Sequence, residues 1–295
     1  MFYFGSARTA SFRLRLRCGV PADTFLRQLE RLHLTGARRQ GYRSRIVEGL
    51  HVLEREGTGD GPPVLLLHGL ASSALDYQPL ANLLCRFHRR VIALDLPGHG
   101  FSPAPEGGME PSVLRERILP AARALLDEPT VVFGNSLGGL VAIRVAQELP
   151  GKVLRLVLAS PGGAPMDRAD LREMLSQFQL GSHDEALGFV DRFQGVTRAR
   201  HVIAWGARVR MGREAVRSLV DQIDVEHLLT PEDLHQLALP VLVFWGRRDR
   251  VLPTHAVNFF REHLPQGHFM EPDGYGRVPD SLLGERFTLE AGASL

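Results

Sequence analysis

Hydrophobic and polar positions along this chain fall into two alternating patterns. Short continuous apolar runs, such as "PVLLLHG", "RVIALD" and "TVVFGN", alternate with segments whose apolar residues recur at helical spacing, such as "LDYQPLANLLCRF" and "LGGLVAIRVAQEL". Continuous apolar runs are typical of strands that are buried on both faces, and amphipathic segments between them supply the covering helices. The pattern therefore predicts an α/β fold with a mostly parallel sheet and helices on both faces.

Two regions depart from this alternation. Near the N-terminus, "PADTFLRQLERLHL" has helical spacing, and "YRSRIVEG" with "LHVLEREG" predicts a β-hairpin. Between Ser160 and Pro240 no strand is indicated, and "DRADLREMLSQF", "DEALGFVDRF", "GREAVRSLVDQI" and "PEDLHQL" predict short helices. A proline at position 120 is expected to kink or divide the helix "SVLRERILPAARALL".

These segments predict three parts of the chain. They are a basic N-terminal extension with one helix (1–42), an α/β core (43–160 with 239–295) and a helical cap over the strand ends (161–238).

Composition narrows the function classes. The chain has 295 residues, 44% of them apolar, and a formal net charge of +2, as in an ordinary globular protein. No apolar run reaches the ~18 residues of a membrane span, and the N-terminus lacks the apolar core of a secretory signal. Residues 1–45 hold ten arginines against two acids, which we interpret as a solvated basic extension. Cys18 and Cys85 match no metal or redox spacing, so we expect free thiols and a cytoplasmic location. No cofactor, metal or nucleic-acid partner is expected.

The sharpest motif is "VVFGNSLGGL". It holds Gly134-Asn135-Ser136-Leu137-Gly138, a G-x-S-x-G between an apolar strand and a helix. A serine on so tight a turn has strained dihedrals, and side chains two residues away on either side would clash. Ser136 is therefore a candidate nucleophile; the alternative is a tight turn with a serine helix cap.

Two further motifs supply candidate partners for that serine. In "LLLHGLASS" the His68-Gly69 turn ends a strand, so the N–H of Leu70 and the N–H of Leu137 are candidates for a two-donor oxyanion hole. In "VLVFWGRRDRVLP" Asp249 follows a strand, where a carboxylate can orient a histidine. The alternatives are a plain strand-ending glycine and a helix cap.

Together with "DLPGHGFS", these motifs resemble the α/β-hydrolase superfamily over roughly residues 43–290. The resemblance implies an eight-stranded, mostly parallel sheet with a helical lid inserted after the sixth strand. It also implies the chain order Ser, Asp, His, with Ser136 as the nucleophile and Asp249 as the orienting acid.

The histidine of that order is missing. In the family it lies in a loop after the last strand, and "LPQGHFMEPDGYGRVP" puts Arg277 in that position, 28 residues after Asp249. Arginine has no lone pair to accept a proton at neutral pH, and it is suited to pair with the aspartate instead. His255 and His99 are candidate substitute bases, each with a surface or supporting role as the alternative.

The expected function is hydrolysis of a carboxylic ester or similar acyl substrate with an apolar part, impaired if Arg277 leaves the serine without a base. One alternative is a catalytically silent relative that binds a ligand or partner under the cap. A further alternative is a carbon–carbon bond hydrolase, because the turn "GNSLGG" around the serine resembles the corresponding turn of such enzymes. Phe189, Phe193 and Trp205 are candidates to line the substrate site; the alternative, more common for aromatic residues at helical spacing, is packing in the core of the cap.

Overall fold

The computed structural model describes residues 21–194, 199–264 and 266–271. Its strands are β1 Arg43–Val47, β2 Leu50–Glu56, β3 Val64–Leu67, β4 Arg90–Leu94, β5 Thr130–Asn135, β6 Val153–Ala159, β7 Val241–Phe244 and β8 Gly267–Met270. They form one eight-stranded sheet in the order β1-β2-β4-β3-β5-β6-β7-β8. Strand β2 is antiparallel to both neighbours, and every pair from β4 to β8 is parallel. The predicted mostly parallel sheet, with its N-terminal hairpin, is confirmed.

Helices cover both faces of this sheet. They are α1 Ala22–Arg39, α2 Gln78–Leu84, α3 Pro111–Leu125, α4 Leu137–Glu148, α5 Arg168–Ser176, α6 His183–Gln194, α7 Arg200–Met211, α8 Glu214–Gln222, α9 Pro231–His235 and α10 His255–His263. Along β3, Leu65 packs into the layer with α3, α4 and α10, and Leu66 packs into the opposite layer with α1 and α2. Because successive strand residues point to opposite faces, the apolar run of β3 feeds both layers.

Helix α1 is held against the rest of the molecule by buried charges. Arg210 of α7 contacts Glu30 of α1 at 2.9 Å and Asp76 at 2.5 Å, and all three side chains are nearly inaccessible. Burial alone would raise the pKa of Asp76, but the guanidinium of Arg210 outweighs burial and holds that pKa well below its usual range. The helix of the predicted extension is therefore joined to both the segment 161–238 and the loop after β3.

The segment between β6 and β7 is helical, as its missing strand signal indicates. Helices α5, α6, α8 and α9 match the four predicted segments, whereas α7 was not predicted. Its sequence "RHVIAWGARVRM" includes Gly206 and three β-branched residues, which weaken the local helix signal. The part played by this segment as a cap remains a prediction, as do the predicted boundaries.

Pro120 lies inside α3, which continues as one helix from Pro111 to Leu125. Pro120 therefore does not divide this helix, and the kink that was the other expectation stays a prediction. The proline is exposed, so water can bond the carbonyl that loses its N–H partner. Within the described ranges, each helix is too short or too polar to span a lipid bilayer.

Candidate functional site

Ser136 lies on the turn that joins β5 to α4. Its backbone has φ 53° and ψ −118°, a left-handed conformation that is uncommon for a residue with a side chain. The carbonyl of Ser136 accepts hydrogen bonds from the N–H groups of Gly139 at 2.8 Å and Gly162 at 2.9 Å. These bonds fix the turn, so the surrounding backbone holds the serine in a strained geometry.

The two glycines of the motif are required by close backbone contacts. A Cβ on Gly134 would lie 2.3 Å from the carbonyl oxygen of Gly138, and a Cβ on Gly138 would lie 2.2 Å from that of Leu67. A side chain at Gly138 would therefore push the turn away from β3, and one at Gly134 would push the end of β5 away from the start of α4. The pattern G-x-S-x-G follows here from steric contact, as the sequence predicted.

The loop after β3 approaches the serine closely. A Cβ on Gly69 would lie 3.3 Å from the Cβ of Ser136, so the backbone at this point runs beside the serine side chain. The ring of His68 braces the loop, because its Nε2 accepts a 3.0 Å hydrogen bond from the N–H of Leu96. Leu137 is the first residue of α4, where backbone N–H groups have no intrahelical partner.

A cavity of about 390 Å³ opens at Ser136. Leu70 and Leu137, the two candidate oxyanion donors, line it together with the serine. The rest of the wall is mostly apolar and comes from α3, α4 and the segment 161–238, including Met174 and Phe178. The volume lies in the usual range for small-molecule sites.

Asp249 lies beyond the end of β7, at the same edge of the sheet as Ser136. Its Oδ1 accepts hydrogen bonds from the N–H groups of Val251 at 2.9 Å and Leu252 at 3.3 Å. Its Oδ2 is buried and has no hydrogen-bond partner within the described part of the chain. A buried carboxylate oxygen without a partner is costly, so this atom is available to a donor such as an imidazole N–H.

The two candidate substitute bases lie in different surroundings. His99 is buried, and its Nδ1–H donates to the carbonyl of Pro97 at 2.8 Å. Burial, aided by the neighbouring His68, lowers the pKa of His99 to about 3, which makes it a weak base. His255 begins α10 and is exposed. Neither is among the described residues that line the cavity.

The prediction for Arg277 lies outside the described residues, so it stays a prediction.

Some residues of the cavity wall were not anticipated. His227 lines the cavity from the turn Val225–His227, and its Nδ1 accepts a hydrogen bond from the N–H of Asp224. With Nδ1 as the acceptor, the neutral ring carries its proton on Nε2 and presents a donor rather than a base. No motif marks this histidine, because its position depends on the packing of the segment 161–238.

Two of the three aromatic residues proposed for the wall, Phe189 and Trp205, lie outside the described cavity wall. Phe189 packs edge-on against Phe178, in a cluster with Met211. Trp205 packs edge-on against Phe25 of α1. The side chain of Phe193 lies outside the described part of the structure. Among the aromatic residues named here whose side chains are described, Phe178, which was not proposed, is the one in the wall.

Comparison with known proteins agrees with this architecture. The family profile described as "alpha/beta hydrolase fold" matches residues 62–219. A pimeloyl-acyl-carrier-protein methyl ester esterase of Xanthomonas oryzae pv. oryzae is 31% identical over 238 residues, which cover 75% of this chain and 90% of that protein.

Two solved structures are similar at 25% identity. A bacterial membrane phospholipase A superposes with a TM-score of 0.72, over 96% of this chain and 94% of its own. A meta-cleavage product hydrolase of Pseudomonas fluorescens superposes with a TM-score of 0.69, over 84% of this chain and 96% of its own.

Proposed function

We propose that this chain, which belongs to the α/β-hydrolase fold family, hydrolyses carboxylic esters with Ser136 as the nucleophile. One observation carries the proposal: Ser136 is held at φ 53° on the strand-to-helix turn and faces an apolar cavity. A strained serine that opens a helix at the end of a parallel strand is the arrangement of a nucleophile elbow. The similar methyl ester esterase supports an ester as the substrate.

The neighbouring groups have separate roles in this proposal. The N–H groups of Leu70 and Leu137 stabilise the oxyanion that forms when Ser136 attacks the ester carbonyl. Asp249 supplies its Oδ2, which has no partner among the described residues, to orient a base. The segment 161–238 acts as a lid, since Met174 and Phe178 form part of the cavity wall. The substrate is a small molecule with an apolar part.

The base is the weak point of the site. By the resemblance, Arg277 replaces the histidine that accepts the proton of the serine, and a guanidinium cannot accept it. The low pKa of His99 and the exposure of His255 disfavour both substitutes. We therefore expect slow hydrolysis. Serine proteases that lose one member of the triad still keep roughly 10³–10⁴-fold catalysis over water, from the oxyanion hole and binding.

Labelling with a fluorophosphonate probe tests the serine directly. We expect the wild type to be labelled slowly, at one site, and the Ser136→Ala variant to show no labelling. The matched control is Ser112→Ala, which removes another hydroxyl of the cavity wall and should leave the labelling rate within about twofold. If the wild type resists the probe, or if Ser136→Ala is still labelled, the proposed nucleophile is wrong.

Restoring a histidine tests the position of Arg277. In the Arg277→His variant we expect hydrolysis of p-nitrophenyl acetate to rise at least a hundredfold, because an imidazole beside Asp249 can act as a general base. The rate should depend on a single group that titrates near neutral pH. An unchanged rate in a folded variant contradicts the assignment of this position.

Arg277 also favours a second candidate function. If the serine is inactive, the cavity of a catalytically silent relative would bind a ligand without chemistry. The similarity to a meta-cleavage product hydrolase keeps carbon–carbon bond hydrolysis as a third candidate. The probe separates the silent relative from the two enzymes, and a ring-fission diketone as substrate separates the enzymes from each other.

A further inference from the structure

The cavity extends away from Ser136 along one face of α4. Its wall includes five residues of that helix at helical spacing: Leu137, Leu140, Val141, Arg144 and Val145. Residues three, four, seven and eight apart share one face, so these side chains form a continuous stripe. Since a helix rises 1.5 Å per residue, Arg144 lies about 12 Å along α4 from Ser136.

The middle of this stripe is apolar on all sides. Ile118 of α3 faces it, and Met174 and Ile223 close it from the segment 161–238. All three are also members of, or packed against, the large apolar cluster of this face of the sheet. An apolar substrate group that lies here leaves water, and each buried methylene strengthens binding about fourfold.

The far end of the stripe carries charges that are already neutralised. The guanidinium of Arg144 is paired with Asp233 of α9. Arg115 of α3 lines the cavity near this end and is paired with Glu148. Each arginine has its own carboxylate, so the end of the cavity is suited to a neutral chain terminus and does not require an anionic group on the substrate.

From this geometry we propose that the site binds esters with an unbranched aliphatic chain of about eight to ten carbons, laid along α4 from Ser136 toward Arg144. An extended chain advances about 1.2 Å per bond, so 12 Å corresponds to about ten bonds. Leu140, one helical turn from the serine, lies midway along this path, so a larger side chain at this position would block the far half of the chain site. This inference rests on the proposed function in one respect, namely that the ester carbonyl of the substrate lies at Ser136.

Two series of esters test the proposal and identify which side of the ester holds the chain. In one series the acyl group of p-nitrophenyl esters grows from two to twelve carbons, and in the other the alcohol of acetate esters grows over the same range. We expect kcat/KM to rise with length to about eight or ten carbons in one series and then to fall. A flat or falling profile in both series overturns the proposal.

Leu140→Trp should shorten the chain that fits. We expect the ratio of kcat/KM for the eight-carbon and two-carbon substrates to fall at least tenfold. The matched control is Val113→Trp on α3, which lies outside the described cavity wall and should leave that ratio within about twofold. Equal ratios in the wild type and Leu140→Trp contradict the assignment. Urea unfolding midpoints of both variants report whether they fold.

Binding without chemistry separates this inference from the proposed function. Calorimetry with straight-chain 2-alkanones on the Ser136→Ala variant needs no reaction. We expect 2-decanone to bind at least tenfold more tightly than 2-pentanone, and Leu140→Trp in the same background to remove the difference. Selective binding without ester hydrolysis would keep the chain site and refute the proposed function. Hydrolysis without chain selectivity would do the opposite.

Discussion

Two aspartates lie beyond the ends of parallel strands at the same edge of the sheet, Asp95 after β4 and Asp249 after β7. Asp95 is fully buried, and both of its oxygens are engaged: Oδ1 by the N–H of Ala74 at 2.6 Å, and Oδ2 by the Nδ1–H of His51 at 2.7 Å and the N–H of Phe101 at 2.9 Å. Its carboxylate therefore joins β2, the loop after β3 and the loop after β4.

Asp249 has the opposite arrangement. One oxygen accepts two backbone N–H groups of its own turn, and the other is buried without a partner in the described residues. Carboxylates at this edge of a parallel sheet are close to any bound ligand. The two aspartates share a position at this edge, and they differ in how many of their oxygens have partners among the described residues.

The substitution Asp95→Asn should have the larger effect. Whichever way the new amide is turned, its NH₂ group faces at least one N–H donor that the carboxylate now accepts from. We expect the free energy of unfolding in urea at pH 7 to fall by about 3 kcal/mol, the cost of an unsatisfied buried donor together with a lost charged hydrogen bond. A loss below about 1 kcal/mol would mean that Asp95 is not the tie between these segments.

The pH dependence sharpens this test. Burial alone would raise the pKa of Asp95, but the hydrogen bond from His51 and the nearby His68 hold that pKa below its ordinary value of 3.8. Because this pKa is lower in the folded state than in the unfolded state, the ionised carboxylate stabilises the fold fully above about pH 4. The stabilisation is lost as the pH falls through the folded-state pKa. The difference in free energy of unfolding between the wild type and Asp95→Asn should therefore become smaller below pH 4.

Sequence patterns captured the parts of the molecule that depend on local rules. The apolar runs of the strands and the glycines around Ser136 follow from periodicity and steric contact within a few residues, so the sheet and the turn could be predicted. The oxygen of Asp249 that has no partner in the described part of the chain could not be predicted, because it depends on which donors the fold brings near. The same holds for the stripe along α4, which becomes a cavity only when α3 and the segment 161–238 cover it.

Contacts between distant parts of the chain explain the other differences. Arg210 joins Glu30 across 180 residues and Asp76 across 134 residues, so no local pattern marks this buried cluster. Trp205 was a candidate for the substrate site, with the core of the cap as the alternative, because helical spacing alone does not show which neighbour an aromatic residue faces. It packs on Phe25 instead, since α1 covers that side of α7.

The substitution Asp249→Asn should change activity with little effect on stability. An asparagine keeps the oxygen that accepts the N–H groups of Val251 and Leu252, and it puts its NH₂ group where Oδ2 has no donor within the described residues. We expect the free energy of unfolding to fall by about 1 kcal/mol, less than for Asp95→Asn, because the buried NH₂ group gains no acceptor among the described residues while no described hydrogen bond is lost. In the Arg277→His background, hydrolysis of p-nitrophenyl acetate should fall about a hundredfold, because the imidazole loses the carboxylate that orients it. In the wild-type background, with Arg277, the same substitution should change the rate less than threefold, since no histidine is there to orient.

The coupling between positions 249 and 277 is thus the quantity to measure in a double-mutant cycle. Equal losses in both backgrounds would show that Asp249 acts on some other base, and no loss in either would place it with Asp95 as a structural carboxylate.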